Sequence, residues 1–192
     1  MSFSEIVSSL SEQTVSSALQ RLTYSADRSL VFLEGHGERK PASDENTGYS
    51  QFTAKLASKG IVSSSQNLLK APLSAETDVL VIAEPEKLIL KGEFSHIKKY
   101  IEQGGNLLWM IDPGTKSNKL NGLKELAEIL NIKFLDGIVV DNNINLRETL
   151  RIHHPAMIPV LDYHSHAITK NLNYNTLFPI SRGILIENNS EW

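Results

Sequence analysis

The chain has 192 residues, of which 41% are hydrophobic and 21% charged, and its formal net charge at pH 7 is −3. This composition excludes general disorder, and the length lets one domain bury a core without disulfides or metals. Scattered basic residues argue against a nucleic-acid surface, no apolar run reaches the ~18–20 residues that span a bilayer, and the absence of cysteine excludes thiol nucleophiles and Cys-ligated zinc.

The first predicted element is an amphipathic helix over residues 3–22, where apolar residues recur at helical spacing. Its polar face carries Ser, Glu and Gln, which favours packing on protein over an anionic membrane surface. We therefore predict an N-terminal helix within residues 1–24, followed by a single α/β domain over residues 25–192.

Unbroken apolar runs then alternate with amphipathic segments through the middle of the chain. The predicted order is strand 29–34, helix 48–60, strand 61–69, strand 78–83, helix 92–103, strand 106–111, helix 120–130 and strand 132–140. Strands that alternate with helices of about 10–13 residues indicate βαβ crossovers, and continuous apolar strands indicate burial on both faces. We predict a three-layer α/β fold with a mostly parallel sheet.

The alternation stops after Asp141. Residues 142–192 are rich in Asn and contain three prolines, and only 184–186 is clearly strand-like. We expect an irregular C-terminal extension from about residue 142, in which extra strands and loops pack on the edge of the sheet.

Polar residues follow three of the predicted strands, in segments 35–38, 83–85 and 112–114. Ligands of open α/β sheets bind outside the carboxyl ends of the strands, so these residues would crowd one rim if the strands are adjacent. The candidate ligand-binding residues are His36, Glu38, Tyr49, Glu84 and Asp112.

Two other interpretations of this rim stay open. The first is purely structural: the glycines and the Asp-Pro-Gly sequence are typical of tight turns, with His36 bonded to a neighbouring carbonyl. The turn residues would then be Gly35, Gly37, Pro113 and Gly114. The second is a hydrolase or amidotransferase-like enzyme in which His36, Glu38 and Asp112 converge in one pocket. Because the chain has no dinucleotide fingerprint, Walker motif or nucleophile elbow, we predict no cofactor and assign no catalytic residue.

Histidines recur near the C-terminus, at His153, His154, His164 and His166, together with Asp162. Imidazole and carboxylate ligands suit zinc or iron. The spacing matches no metal-binding framework, however, and the segment contains proline, so solvated turn residues are favoured and no metal is predicted.

Taken in order, the motifs of this chain resemble the auxiliary-component family of ABC-type transport systems, of the gliding-motility Gld type. The resemblance covers roughly residues 14–186, and its departures are few: one is the Ala of His166-Ala-Ile-Thr169, where the family usually has Pro. The motifs that carry it are Ser17-Ala-Leu-Gln-Arg-Leu-Thr23, Val31-Phe-Leu-Glu-Gly-His-Gly-Glu38, Gly48-Tyr-Ser50, Asp78-Val-Leu-Val-Ile-Ala-Glu-Pro85, Tyr100-Ile-Glu-Gln-Gly-Gly-Asn-Leu-Leu108, Asp112-Pro-Gly114, Asn131-Ile-Lys-Phe-Leu135, Asp136-Gly-Ile-Val-Val-Asp141 and Thr176-Leu-Phe-Pro179.

The resemblance implies a non-catalytic, soluble domain on the periplasmic side of the bacterial inner membrane, anchored by segments outside this chain. Its partners would be the permease and ATPase subunits of the same system, with carbohydrate as a suggested ligand. The fold would be flavodoxin-like, shared with an intraflagellar-transport subunit and related to class I glutamine-amidotransferase-like (ThuA-like) proteins. The enzymes of that group use a Cys nucleophile, which this chain lacks.

Overall fold

A computed structural model of the protein describes residues 12, 15, 16, 28–113 and 120–186. The chain divides into two compact units, Met1–Ile111 and Asp112–Trp192. Of the helix predicted over residues 3–22, the three described residues, Glu12, Val15 and Ser16, are helical, and the rest lies outside the described residues. The domain division predicted from the sequence stays a prediction.

The first unit is built on a four-stranded parallel sheet. Its strands are β1 (Arg28–Leu33), β2 (Ile61–Gln66), β3 (Val79–Ala83) and β4 (Asn106–Met110), in the order β2-β1-β3-β4. All three pairings are parallel, and β1 pairs with β2 along its full length. This is the strand order of flavodoxin-like sheets, so the predicted α/β fold class is confirmed.

Two helices connect these strands. Helix α1 (Ser50–Ala57) lies between β1 and β2 in the chain, and α2 (Lys91–Glu102) lies between β3 and β4. The two crossovers run in opposite directions from the centre of the sheet. Because such crossovers are right-handed, α1 and α2 belong to opposite faces of the sheet, which gives the predicted three layers.

The core of the first unit lies in its two central strands. Phe32 of β1 and Leu80, Val81 and Ile82 of β3 are fully buried. A parallel strand that is covered on both faces needs apolar side chains at successive positions, which explains the unbroken apolar sequences of β1 and β3.

The second unit has short elements. They are α3 (Lys124–Ile129), β5 (Ile132–Phe134), α4 (Ile144–Thr149), β6 (Met157–Val160), β7 (Thr176–Pro179) and β8 (Ile184–Ile186). Its strands form two antiparallel pairs, β5 with β8 and β6 with β7. Leu123, Leu126 and Ala156 are its fully buried apolar residues among those described.

Sequence patterns predict this second unit less well than the first. The helix predicted over 120–130 is confined to Lys124–Ile129, because Asn121 and Gly122 take positive φ values of 45° and 90°. The strand predicted over 132–140 ends at Phe134. The alternating pattern predicts another parallel strand here, but β5 pairs antiparallel with β8.

The expected C-terminal extension also contains a helix that the sequence pattern did not predict. Helix α4 begins after Asn143, whose side-chain oxygen accepts the backbone N–H of Leu146 at 3.1 Å and so caps the helix. Across residues 28–113 and 120–186, no helix has the length and hydropathy needed to cross a bilayer.

Candidate functional site

The chain turns sharply at the carboxyl end of β1. Gly35 and Gly37 have φ values of +125° and +84°, in the region that favours glycine. A Cβ on Gly35 would lie 2.8 Å from the side-chain nitrogen of Asn67, and one on Gly37 would lie 3.0 Å from Glu86. The two glycines therefore allow the turn that brings His36 beneath the neighbouring loop.

His36 lies between two buried carboxylates. Its Nδ1 is 3.0 Å from Oε1 of Glu38, and its Nε2 is 3.0 Å from Oε2 of Glu93. The other oxygen of Glu38 accepts the backbone N–H of His36 at 2.7 Å. The three side chains are 6%, 2% and 1% exposed, respectively. We call His36, Glu38 and Glu93 the His36 cluster.

Glu93 is the member of this cluster that sequence reasoning missed. It lies in the first turn of α2, and its Oε2 also accepts the N–H of Leu90 at 3.0 Å, so the carboxylate caps the helix that it belongs to. Its other oxygen, Oε1, is buried and has no hydrogen-bond partner among the described residues. A Glu three residues after the start of a helix was a visible capping signal, but nothing in the sequence links it to His36.

The cluster holds the loop that follows β3. The carbonyl oxygen of His36 accepts the N–H groups of Glu86 and Lys87 at 2.9 and 2.8 Å. At the other end of the loop, Leu90 is bonded to Glu93. Residues 84–90 are thus attached at two points to the turn after β1 and to the start of α2. We call this segment the β3 loop.

The remaining predicted ligand-binding residues lie outside the cluster. Tyr49 is half-buried, and its ring packs against Phe32 and Phe52 at centroid distances of 6.2 and 6.3 Å. Glu84 begins the β3 loop with a φ of 52°, and its N–H extends the pairing of β3 with β4 by bonding to Met110 O at 3.0 Å. Asp112 is exposed and begins the second unit.

Of the four predicted turn residues, Gly35 and Gly37 have the positive φ that the turn interpretation requires. Pro113 is half-buried in the second unit, and Gly114 lies outside the described residues. The expectation that His36 bonds a carbonyl is wrong: its ring nitrogens meet carboxylates, and its own carbonyl receives two N–H groups.

The C-terminal histidines take part in local turns. Nδ1 of His154 accepts the N–H of Ala156 at 3.1 Å, and Nδ1 of His166 accepts that of Ile168 at 3.2 Å. Within the described part of the chain, no group of three or more His, Cys, Asp or Glu side chains is arranged to hold a metal ion.

Burial of the His36 cluster and the contacts among its own side chains limit the chemistry that it can perform. Both ring nitrogens of His36 already have carboxylate partners inside the cluster. A general base must face its substrate, whereas both nitrogens of His36 face buried carboxylates.

The turn that positions His36 can be tested at Gly35. We expect Gly35→Ala to lower the free energy of unfolding by about 2 kcal/mol, because alanine is strained at this φ and its Cβ would crowd Asn67. Urea denaturation measures this change. Gly104→Ala is the matched control, since Gly104 also has a positive φ but nothing lies within 4 Å of its Cβ position. Equal losses in both variants would show that the contact with Asn67 contributes nothing.

Comparison with known proteins places the fold among related chains. A relative from Mus musculus, "Intraflagellar transport protein 52 homolog", is 26% identical over 136 residues, which cover 70% of this chain and 30% of the relative. The chain thus spans less than a third of that protein's length.

Two solved structures share the fold. The mmIFT52 N-terminal domain matches with a TM-score of 0.64 and 19% identity, over 83% of this chain and 69% of that one. A ThuA-like protein from Bacteroides uniformis ATCC 8492 matches with a TM-score of 0.50 and 18% identity, over 83% of this chain and 61% of that one. Identities this low establish likeness of fold alone, and they confirm the predicted kinship of fold. Residues 27–186 match the family described as an ABC-type uncharacterized transport system, and the chain belongs to this family of auxiliary components.

Proposed function

We propose that this chain is a non-catalytic auxiliary domain of an ABC-type transport system and that it binds another protein subunit of that system. Family membership supplies the transport association. The observation that carries the binding role is that residues of the buried His36 cluster hydrogen-bond to both ends of the β3 loop.

The first step of the argument concerns catalysis. Both ring nitrogens of His36 lie 3.0 Å from carboxylate oxygens, and the three side chains are more than nine-tenths buried. A cluster that is bonded inward in this way supports a structural role for His36 and Glu38 better than an acid–base role. The enzyme hypothesis needs His36, Glu38 and Asp112 in one pocket. The third member of the cluster, however, is Glu93, which contacts Nε2 of His36.

The second step concerns what the cluster supports. The β3 loop exposes two leucines, Leu88 at 61% and Leu90 at 50%. Glu86 and Lys87, whose backbone N–H groups attach the loop to His36, carry exposed side chains beside these leucines. Apolar side chains with flanking charges, held on a fixed backbone, are suited to contact with another protein, because little conformational entropy is lost on binding.

We propose further that the domain works on the extracytoplasmic side of the bacterial inner membrane, joined to it by segments outside this chain. The permease and ATPase of the same system are the proposed partners. A role in gliding motility and a carbohydrate ligand rest on the sequence resemblance alone and stay predictions.

The loop proposal is tested by copurification. The full-length protein is tagged in its own bacterium, and we expect ABC permease and ATPase subunits to be recovered with it. The double variant Leu88→Ser/Leu90→Ser should reduce their recovery at least tenfold, because the apolar contacts are lost while the buried cluster is untouched. Leu161→Ser is the control, since Leu161 is 47% exposed but lies in the second unit.

The outcomes separate the parts of this proposal. If wild-type protein recovers no ABC subunit, the transport partnership is wrong. If the double variant recovers them as fully as wild type does, the β3 loop is not the contact. Circular dichroism of the purified variants verifies that each remains folded.

A further inference from the structure

A polar cleft lies at the amino ends of strands β3 and β4, whereas the His36 cluster follows the carboxyl end of β1. The cleft occupies about 680 Å³ next to the starts of β3 and β4 and the end of α2. Small-molecule sites typically have volumes of about 300–1,000 Å³. Ligands of open α/β sheets usually bind at the carboxyl ends of the strands, so this cleft is not at the usual ligand site of the fold.

Hydrogen bonds from the Tyr100 hydroxyl connect the residues on the two sides of the cleft. This hydroxyl lies 3.2 Å from the carbonyl oxygen of Thr77 and 3.1 Å from that of Asn106, which join the end of α2 to the starts of two strands. Burial raises the pKa of the Tyr100 phenol, so the hydroxyl remains a neutral donor. A Cβ on Gly105 would lie 2.4 Å from this ring, so glycine allows the backbone to pack against it. The cleft is therefore a fixed feature of the first unit.

Thr77 lines the cleft and is left unsatisfied. The residue is 8% exposed, and its hydroxyl has no hydrogen-bond partner among the described residues. Buried hydroxyl groups are nearly always bonded, so this hydroxyl next to the cleft is available as a hydrogen-bond donor.

The charges of the cleft favour an anionic partner. Lys99 and His96 line it from α2, and within the described part of the chain neither side chain makes an ion pair or a hydrogen bond. The opposing carboxylate of Asp78 already accepts the N–H of Ser29 at 2.7 Å. Asp78 keeps its negative charge, but its Oδ2 is held by that backbone N–H, whereas the ammonium of Lys99 has no such partner among the described residues.

We propose that this cleft binds a small organic anion whose carboxylate or phosphate group contacts Lys99, with His96 and the Thr77 hydroxyl as further donors. Gln103, also on this face of α2, can bond hydroxyl groups on the rest of such a molecule. The cleft lies at the amino ends of the strands and the β3 loop at their carboxyl ends, so this proposal and the proposed protein contact can fail independently.

Isothermal titration calorimetry of the full chain tests the site with four probes: gluconate, glucose 6-phosphate, inorganic phosphate and glucose. We expect gluconate or glucose 6-phosphate to bind saturably, and their comparison distinguishes carboxylate from phosphate. Lys99→Gln should weaken that binding about tenfold or more, because it removes a charge-assisted contact. Thr77→Val should weaken it about threefold and leave the fold intact, since this hydroxyl has no partner to lose.

Lys91→Gln is the matched control, because this substitution removes the same positive charge from the other end of α2. Three results would overturn the proposal. One is the absence of saturable binding by both organic anions. Another is an equal loss in Lys91→Gln and Lys99→Gln, which would indicate non-specific attraction. The third is binding of glucose as tight as that of gluconate and unchanged in Lys99→Gln, which would make the site one for neutral sugars.

Discussion

Replacing His36 by alanine should lower the free energy of unfolding by about 3 kcal/mol or more. The variant removes the donor that lies 3.0 Å from both Glu38 and Glu93, and it leaves two buried carboxylates without it. Backbone N–H groups still bond one oxygen of each carboxylate, so the loss is partial rather than complete. Urea denaturation followed by circular dichroism measures the change.

His96→Ala is the control for this variant. His96 lies on α2 and is only half-buried, so its removal should change stability by less than about 0.5 kcal/mol. A double-mutant cycle of His36→Ala with Glu93→Ala isolates the contact between them. We expect a coupling free energy of about 1–3 kcal/mol, as is usual for bonded neighbours. Additive effects would contradict the cluster as described.

The fold of the first unit follows from the sequence because its central strands have only one way to satisfy their side chains. β1 and β3 are continuous apolar segments, and their carboxyl-terminal residues are buried at consecutive positions. Only a sheet covered on both faces accommodates that pattern. The second unit gives no such constraint. Its strands are three or four residues long, too short for periodicity to reveal their partners or direction.

The candidate site was predictable in part. A polar segment after a buried strand pointed to His36 and Glu38, which do bond each other. Their third partner, Glu93, is 57 residues from His36 in the sequence, and only tertiary structure brings the two together. Local patterns likewise could not show that the ring of Tyr49 packs against Phe32. Burial and long-range pairing decide these roles, and neither is encoded in a short motif.

Phe32→Ala should destabilise the protein by about 3–5 kcal/mol, because it empties the centre of the first unit's core. Phe32 is fully buried in β1, where it packs with Val81 and Ala83 and contacts the ring of Tyr49. Its neighbours belong to the paired strands β1 and β3, which cannot easily close over the space left behind. The midpoint and slope of urea denaturation give the free energy.

Phe52→Ala is the matched control, because it deletes the same side chain and also contacts Tyr49, at 6.3 Å between ring centroids. Phe52 is 40% exposed on α1, so its loss should cost about 1 kcal/mol. The difference between the two variants then measures burial rather than aromatic contact. If both cost the same, the stability of this unit comes from the packing around Tyr49, and the central strands do not form its core in the way their buried sequences require.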